Sequence, residues 1–414
     1  MDHKPVELDL NDPQFKWDGA PTLMRNAFIV GAVGILAAVG VGATKDDHFA
    51  GFFHSYQVAY VYFLAIALGC LFFVTLQHLV RAGWSVTVRR LFEFGAGTMP
   101  VMLALSLPVI VPAVLGNDGL YAWVNAETVA NDHLIHHKAP YLNIPFFLIR
   151  VAIYFGLWIM MARYFVGFSK AQDTSGDWKL TAKAQGHAAP LMIFFGLTLT
   201  FAAVDFIMSL EPHWYSTIIG VYYFATSVMS SMAMVILLAK FLQSKGKVKV
   251  ISTEHYHDLG KLLFAFTFFW AYIAFSQYML IWYANIPEGT IWYQHRQHGQ
   301  WVPYSFFLLF GHFFIPFLGL ISRNVKRATT FLAFWAGWML FMHWVDMFYL
   351  VMPSLYEHGT GYDQNVLPLS LMDPLCMIGV GGIFVGALAM GIRGSYLVPM
   401  KDPRLNESLA FENI

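Results

Sequence analysis

Two aspartates lie inside apolar runs of this chain, and both occupy the same local string. One copy reads Val204-Asp205, then Pro212 and Tyr215; the other reads Val345-Asp346, then Pro353 and Tyr356. A carboxyl group in hydrocarbon costs several kcal/mol unless it is paired, hydrated or neutral, and such residues serve transport or proton transfer. Asp205 falls five residues before the end of its run, about 7.5 Å by helical rise, and Asp346 is similarly placed. His343, three residues before Asp346, can share its helix face. Glu211, His213, Tyr215, Tyr349, Tyr356 and His358 lie nearby in sequence, and Arg150 sits in a preceding run. Such a set of carboxylates, imidazoles and phenols can hold a polar head group or pass protons. It can equally be a structural network, for example Arg150 with Asp205.

Two further groups bear on a proton route. Ser216, Tyr223, Ser227 and Ser231, with Thr226 and Ser230 beside them, form a hydroxyl stripe. Small hydroxyl residues in membrane helices serve close packing, or with water they link the acids toward mid-membrane. Glu93, Asp258 and Lys261 open later runs, with His78, His187, His255 and His257 at similar depth. They are either the mouth of an inner half-route or snorkelling anchors. His133, His136 and His137 form H-x2-H-H in a polar segment, which argues against an intramembrane metal site. His54 and His78 lie at opposite ends of one run and cannot ligate one haem, so no metal or haem is expected in this chain. Cys70 and Cys376 both fall in apolar runs and read as packing residues.

The elements that position these groups are membrane helices. Apolar residues make 57% of the chain and charged residues 12%, against roughly 25% charge in soluble domains; mean hydropathy is +0.54. Runs long enough to span a bilayer cover about 24–44, 51–78, 86–115, 141–166, 188–210, 214–242, 259–285, 302–322, 328–352 and 367–392. The fold class is therefore an all-α polytopic membrane protein with ten transmembrane helices. Pro100, Pro108 and Pro112 predict kinks in span 3, and 116–140 and 168–187 read as the longest loops. No cleavable signal segment is expected, and no nucleotide- or nucleic-acid-binding motif occurs. Of the 25 Lys and Arg residues, only Lys45, Lys138, Arg150 and Arg296 fall on the side opposite the termini. The positive-inside rule then puts both termini in the cytoplasm.

The chain also repeats itself. Ser55-Tyr56 and Tyr62-Phe63 in span 2 match Ser216-Thr217 and Tyr223-Phe224 in span 6. Phe146-Phe147-Leu148 in span 4 matches Phe306-Phe307-Leu308 in span 8. The organisation expected is a cytoplasmic arm (1–23), a first peripheral span (24–50), two four-helix bundles (51–210, spans 2–5, and 211–366, spans 6–9), and a last span with a cytoplasmic tail (367–414). Each unit has an even number of spans, so the repeats are parallel.

The string V-D-F-I-M-S-L-E-P-H-W-Y-S-T at 204–217, H-H-K-A-P-Y-L-N at 136–143 and the duplicated bundles resemble the NrfD/PsrC-like membrane proteins, and among them the F subunit of bacterial alternative complex III. The resemblance covers nearly the whole chain. It implies a redox-inactive subunit of a quinol:electron-acceptor (cytochrome c type) oxidoreductase in a bacterial cytoplasmic membrane, without a cofactor of its own. Its implied partners are a paralogous quinol-binding membrane subunit, an iron–sulfur subunit, multihaem cytochrome c subunits and membrane lipids. Its implied role is support plus part of a proton-translocation route, with Asp205 and Asp346 as the intramembrane acids.

Two other readings compete. A quinol-oxidising subunit in its own right predicts a lipid-accessible cavity beside Asp205 or Asp346. A secondary transporter is compatible with parallel repeats, although few spans are broken by glycine. For the proton route, the residues expected to act are Asp205, Asp346, His343, Glu211, His213, Arg150, Tyr223, Ser227, Glu93, Asp258 and Lys261. Its middle offers only hydroxyls, so ordered water there favours the route and dry packing opposes it.

Overall fold

The computed structural model describes residues 9, 12–45, 47–358, 363 and 365–413, without the side chains of Glu357 and His358. Residues 1–8 of the expected arm and the His358 side chain lie outside the described residues. Among the described residues no strand occurs, and ten helices are long and apolar enough to cross a membrane: span 1 (Pro13–Gly42), span 2 (Ala50–Leu79), span 3 (Val86–Val114), span 4 (Ile144–Ser175), span 5 (Trp178–Leu210), span 6 (Ile219–Ser244), span 7 (Thr253–Ala284), span 8 (Trp301–Leu320), span 9 (Thr329–Tyr356) and span 10 (Met372–Ile392). The chain is an all-α, multi-pass membrane protein. Ile29, Val33, Leu36, Ile149, Ile153, Ile193, Phe194, Phe275 and Leu280 are exposed along its flanks, an apolar belt suited to the interior of a bilayer.

The helices form two closed rings. Span 2 packs on spans 3 and 5, and span 4 closes the ring against spans 3 and 5; span 6 packs on spans 7 and 9, and span 8 closes that ring. Spans 2 and 6 press together at the centre, and each also touches the last helix of the other ring, span 9 or span 5. Close approach explains the central pair: a Cβ on Gly69 would lie 2.0 Å from the Ser227 carbonyl oxygen. Spans 1 and 10 form a separate pair, with Gly31 and Gly34 laid against Gly379 and Gly382 so that the backbones touch, the small-residue packing of membrane helices. Span 10 leans on span 2.

The prolines act as expected. Span 3 is divided into Val86–Ala96, Met99–Leu105 and Leu107–Val114, with proline in the first turn of the second and third pieces. The segment expected as a loop at 168–187 is instead a helical hairpin. Spans 4 and 5 run past their apolar stretches to a turn at Gly176, where Asp177 caps Lys179 N–H and Gln172 bonds Thr181 across the pair. Hydropathy sees only the membrane-embedded part of such helices. The 116–140 segment likewise holds two short helices, Ala126–Asn131 and His133–Lys138, capped by Asn125 and Asp132.

Both described ends meet on one face, called here the terminus face. Leu397 N–H donates to the Phe15 carbonyl, Met400 N–H to Asp173, and Ser408 Oγ to the Trp84 carbonyl. The tail therefore straps the ends of spans 2, 3 and 4 together.

Candidate functional site

The two intramembrane acids have opposite surroundings. Asp205 is clamped by Arg150, whose Nε and Nη2 each donate to one carboxylate oxygen at 2.8 Å. Tyr154 OH donates a third bond at 2.7 Å. Arg150 also bonds the Tyr141 carbonyl, and its guanidinium lies 3.8 Å from the Tyr141 ring centroid and 4.5 Å from that of Phe146. This is a bidentate, buried pair with every oxygen used, the arrangement that fixes a structure.

Asp346, fully buried, has no salt bridge among the described residues. Its partners are neutral: Tyr222 OH at 2.5 Å and Trp270 Nε1–H at 3.1 Å. The repeat explains the difference. At the offset that matches Phe146 to Phe306, the position of Arg150 in span 8 is Phe310, so the second ring has lost the cation. Span 8 also winds as a π-helix over Phe310–Phe314, a distortion frequent at functional sites.

Three imidazole or indole rings complete the surroundings. His343 Nδ1 lies 2.8 Å from Thr226 Oγ1, its Nε2 lies 3.3 Å from the Tyr62 carbonyl, and its ring stacks on Tyr62. His312, in the π-helix, stacks on Trp270 with centroids 3.7 Å apart. It is fully buried and neither ring nitrogen meets another residue's hydrogen-bonding group.

Beside Tyr222 and Trp270 a cavity of about 630 Å³ opens between spans 7 and 8, with Gln277, Tyr293, Arg296 and Tyr349 on its polar side. Phe275, Phe306 and Phe314 line it and are exposed on the apolar flank, so it faces the bilayer. Arg296 is fully buried. It donates to Glu211 at 2.7 Å and to the Tyr349 and Trp292 carbonyls, and stacks 3.5 Å from the Trp292 centroid.

No protein-family model matches this chain, and no curated protein matches it.

The expected site residues separate into distinct groups. Asp346 and His343 come together; Asp205 and Arg150 form their own pair. Glu211 goes to Arg296, tying the span 5–6 connection to the span 7–8 connection. His213 lies at the surface with Asp132 at 2.6 Å. Burial works to raise the Asp132 carboxyl, but the Ile135 N–H and His213 outweigh it and hold the group below the usual range. Tyr223 and Ser227 donate to the Val61 and Tyr223 carbonyls. Ser230 and Ser231 also bond their own helix, so this stripe packs spans 2 and 6.

On the terminus face Glu93 is fully buried between Arg89 at 3.1 Å and Arg90 at 2.9 Å. Those guanidiniums reach Asp402 at 2.6 Å and Asp173 at 2.8 Å. Asp258 and Lys261 pair with each other at the edge, where Lys261 also bonds Asn413. They do not join the Glu93 cluster.

Sequence reasoning missed Tyr222, Trp270 and His312. The Tyr222-x3-Thr226 spacing was the available signal, since it puts a phenol and a hydroxyl on one helix face. Nothing local marks His312, because the π-turn sets its direction.

Proposed function

We propose that this chain is the redox-inactive membrane subunit of a quinol:electron-acceptor oxidoreductase resembling alternative complex III. It works beside a paralogous quinol-binding subunit, an iron–sulfur subunit and multihaem cytochromes c, in a bacterial cytoplasmic membrane with both termini cytoplasmic. In this reading its second ring holds and passes protons at Asp346. One observation carries that role: Asp346 is buried in the apolar interior among neutral donors, with no countercharge among the described residues. A lone carboxylate there is costly, and the neutral form of the group is the acid with its proton on. Asp205, whose charge Arg150 cancels, is by contrast an anchor.

A second reading, that this chain itself binds a quinol, is favoured by the cavity beside Tyr222 and Trp270. Its volume lies within the range of small-molecule sites, and its open side faces lipid, from which such a molecule would enter.

The test is the intact complex in sealed liposomes, with quinol oxidation and proton movement recorded together for Asp346→Asn and Asp205→Asn. Persistent electron transfer with proton translocation lost in Asp346→Asn is the expected result. Collapse of quinol oxidation in an assembled complex would favour the second reading. No change in either rate would overturn both.

A further inference from the structure

A second cavity, of about 240 Å³, opens on the face opposite the termini, where the 137–142 segment meets the end of span 5 and the span 5–6 connection. Val204, Met208 and Pro212 give it an apolar wall, and His137, Lys138 and Trp214 stand in the same lining. The wall nearest span 4 is held by the anchored pair, since Arg150 bonds the Tyr141 carbonyl and stacks on its ring.

Lys138 is half-buried in this lining, and no carboxylate pairs with it among the described residues. The neighbouring acids are spent elsewhere: Asp132 on His213 and on the N–H groups of Leu134 and Ile135, Asp205 on Arg150, and Glu211 on Arg296. The ammonium donates to one oxygen, the Pro212 carbonyl, and lies 5.7 Å from the Tyr215 ring centroid. An ammonium has three hydrogens, so two are left over. Burial holds this group below its usual range, and the charge of Asp132 offsets that only in part. Trp214 is a further unspent donor: it is 3% exposed, and its Nε1–H meets no acceptor among the described residues. His137 brings an N–H in either of its neutral ring forms. The Ser209 hydroxyl, also in the lining, is used on the Asp205 carbonyl. What the cavity has to offer is therefore hydrogens, one set of them on an uncancelled positive charge, and a buried charge is costly until it is paired.

The cavity is continuous with the lipid-facing side of span 5. Leu197, Phe201, Val204 and Met208 follow one another at helical spacing and share one face. Leu197 and Phe201 are exposed on the apolar flank, while Val204 and Met208 reach the cavity. An apolar stripe thus runs from the bilayer interior up to the donors.

We infer that this cavity binds an anionic phospholipid of the leaflet opposite the termini, its phosphate on Lys138 and Trp214 and an acyl chain along the span 5 stripe. A basic pocket beside apolar helix faces is the arrangement that takes anionic lipid head groups. A free anion would satisfy the donors and leave the stripe without a role. An apolar partner helix would cover the stripe and leave Lys138 uncompensated.

The test uses the full-length protein in nonionic detergent micelles and is independent of proton movement and quinol oxidation. A phosphatidylglycerol with a photoactivatable acyl chain is crosslinked to the protein, and its attachment points are mapped by mass spectrometry. Competition by unlabelled phosphatidylglycerol, phosphatidylcholine and inorganic phosphate then gives relative affinities. Crosslinks should fall on span 5 between Leu197 and Met208. Phosphatidylglycerol should compete at least about fivefold better than phosphatidylcholine, the contribution of one lysine to an anionic head group. Lys138→Met, which removes the charge, should erase that preference, and Lys138→Arg should keep it. Val204→Trp, which fills the cavity and leaves the charge in place, should remove the span 5 crosslinks. Crosslinks confined to other helices, equal competition by the two lipids, an unchanged preference in Lys138→Met or an unchanged crosslink yield in Val204→Trp would each overturn the site. Inorganic phosphate competing as well as phosphatidylglycerol would overturn the lipid assignment in favour of a soluble anion. The crosslink map and the lipid comparison are made on the wild-type protein, so they decide the matter even where a variant fails to fold.

Discussion

Replacing the two intramembrane aspartates by asparagine should cost different amounts, and the difference can be worked from their partners. Asp205→Asn removes the negative charge that Arg150 meets with two bonds at 2.8 Å. The guanidinium stays behind, almost wholly buried, and an uncompensated charge of this kind costs about 3–5 kcal/mol. Asp346→Asn strands no charge. Its amide oxygen still accepts from Tyr222, and the loss is confined to the Trp270 contact, about 1–3 kcal/mol for a buried group left without its partner. The gap is about 2 kcal/mol, readable in reversible denaturant unfolding of the protein in mixed micelles. A double-mutant cycle sharpens the test. If the cost of Asp205→Asn comes from the orphaned guanidinium, Arg150→Gln/Asp205→Asn must be more stable than the sum of the two single losses, by about 1–3 kcal/mol. Equal losses at the two aspartates, or additivity within about 0.5 kcal/mol at the Arg150–Asp205 pair, would refute the assignment of one acid as anchored and the other as free of countercharge.

Two further outcomes follow from other parts of the molecule. Burial works to raise the Asp402 carboxyl, but Arg89 beside it outweighs this and holds the group below its usual range. Its stabilising effect is therefore full above the ordinary carboxylate value of about 3.9 and is lost as pH falls through the lower folded value. Amide exchange at Leu397 and across Leu405–Leu409 should accelerate in acid, and in Asp402→Asn by roughly a hundredfold at neutral pH if about 3 kcal/mol is lost there; wild-type protection in that variant would sink the strap. His312→Phe removes two unpartnered ring nitrogens and keeps an aromatic ring against Trp270, so stability should hold or rise. A loss above about 1 kcal/mol in unfolding experiments would show that the imidazole has a partner of its own.

The fold was legible because span length and residue type are local properties. Apolar runs locate the ten helices. Where helices continue beyond their apolar stretch, as at Gln172 and Thr181, hydropathy stops short and a hairpin reads as a loop. The site was harder because it depends on helix rotation. Tyr222 and Tyr223 differ by one step along span 6 and about 100° around it; only the first meets Asp346, and the second packs on span 2. Arg150 with Asp205 was readable as a possible pair, since a buried acid needs one. Glu93 was visible as an acid at the start of a span, but its setting depends on Asp173 and Asp402, far along the chain. Phe310 in place of Arg150 became meaningful only once the halves were set side by side.

The strap has a consequence for how the molecule is made. Arg89 and Arg90 emerge from the ribosome early, and the short-range acid available to both is Glu93. Asp173 arrives with the fourth helix, and Asp402 follows the tenth. Until then this face carries more positive charge than in the folded protein, the sign that retains a segment on the cytoplasmic side during insertion. Asp402 joins it only after all ten of these spans have been made.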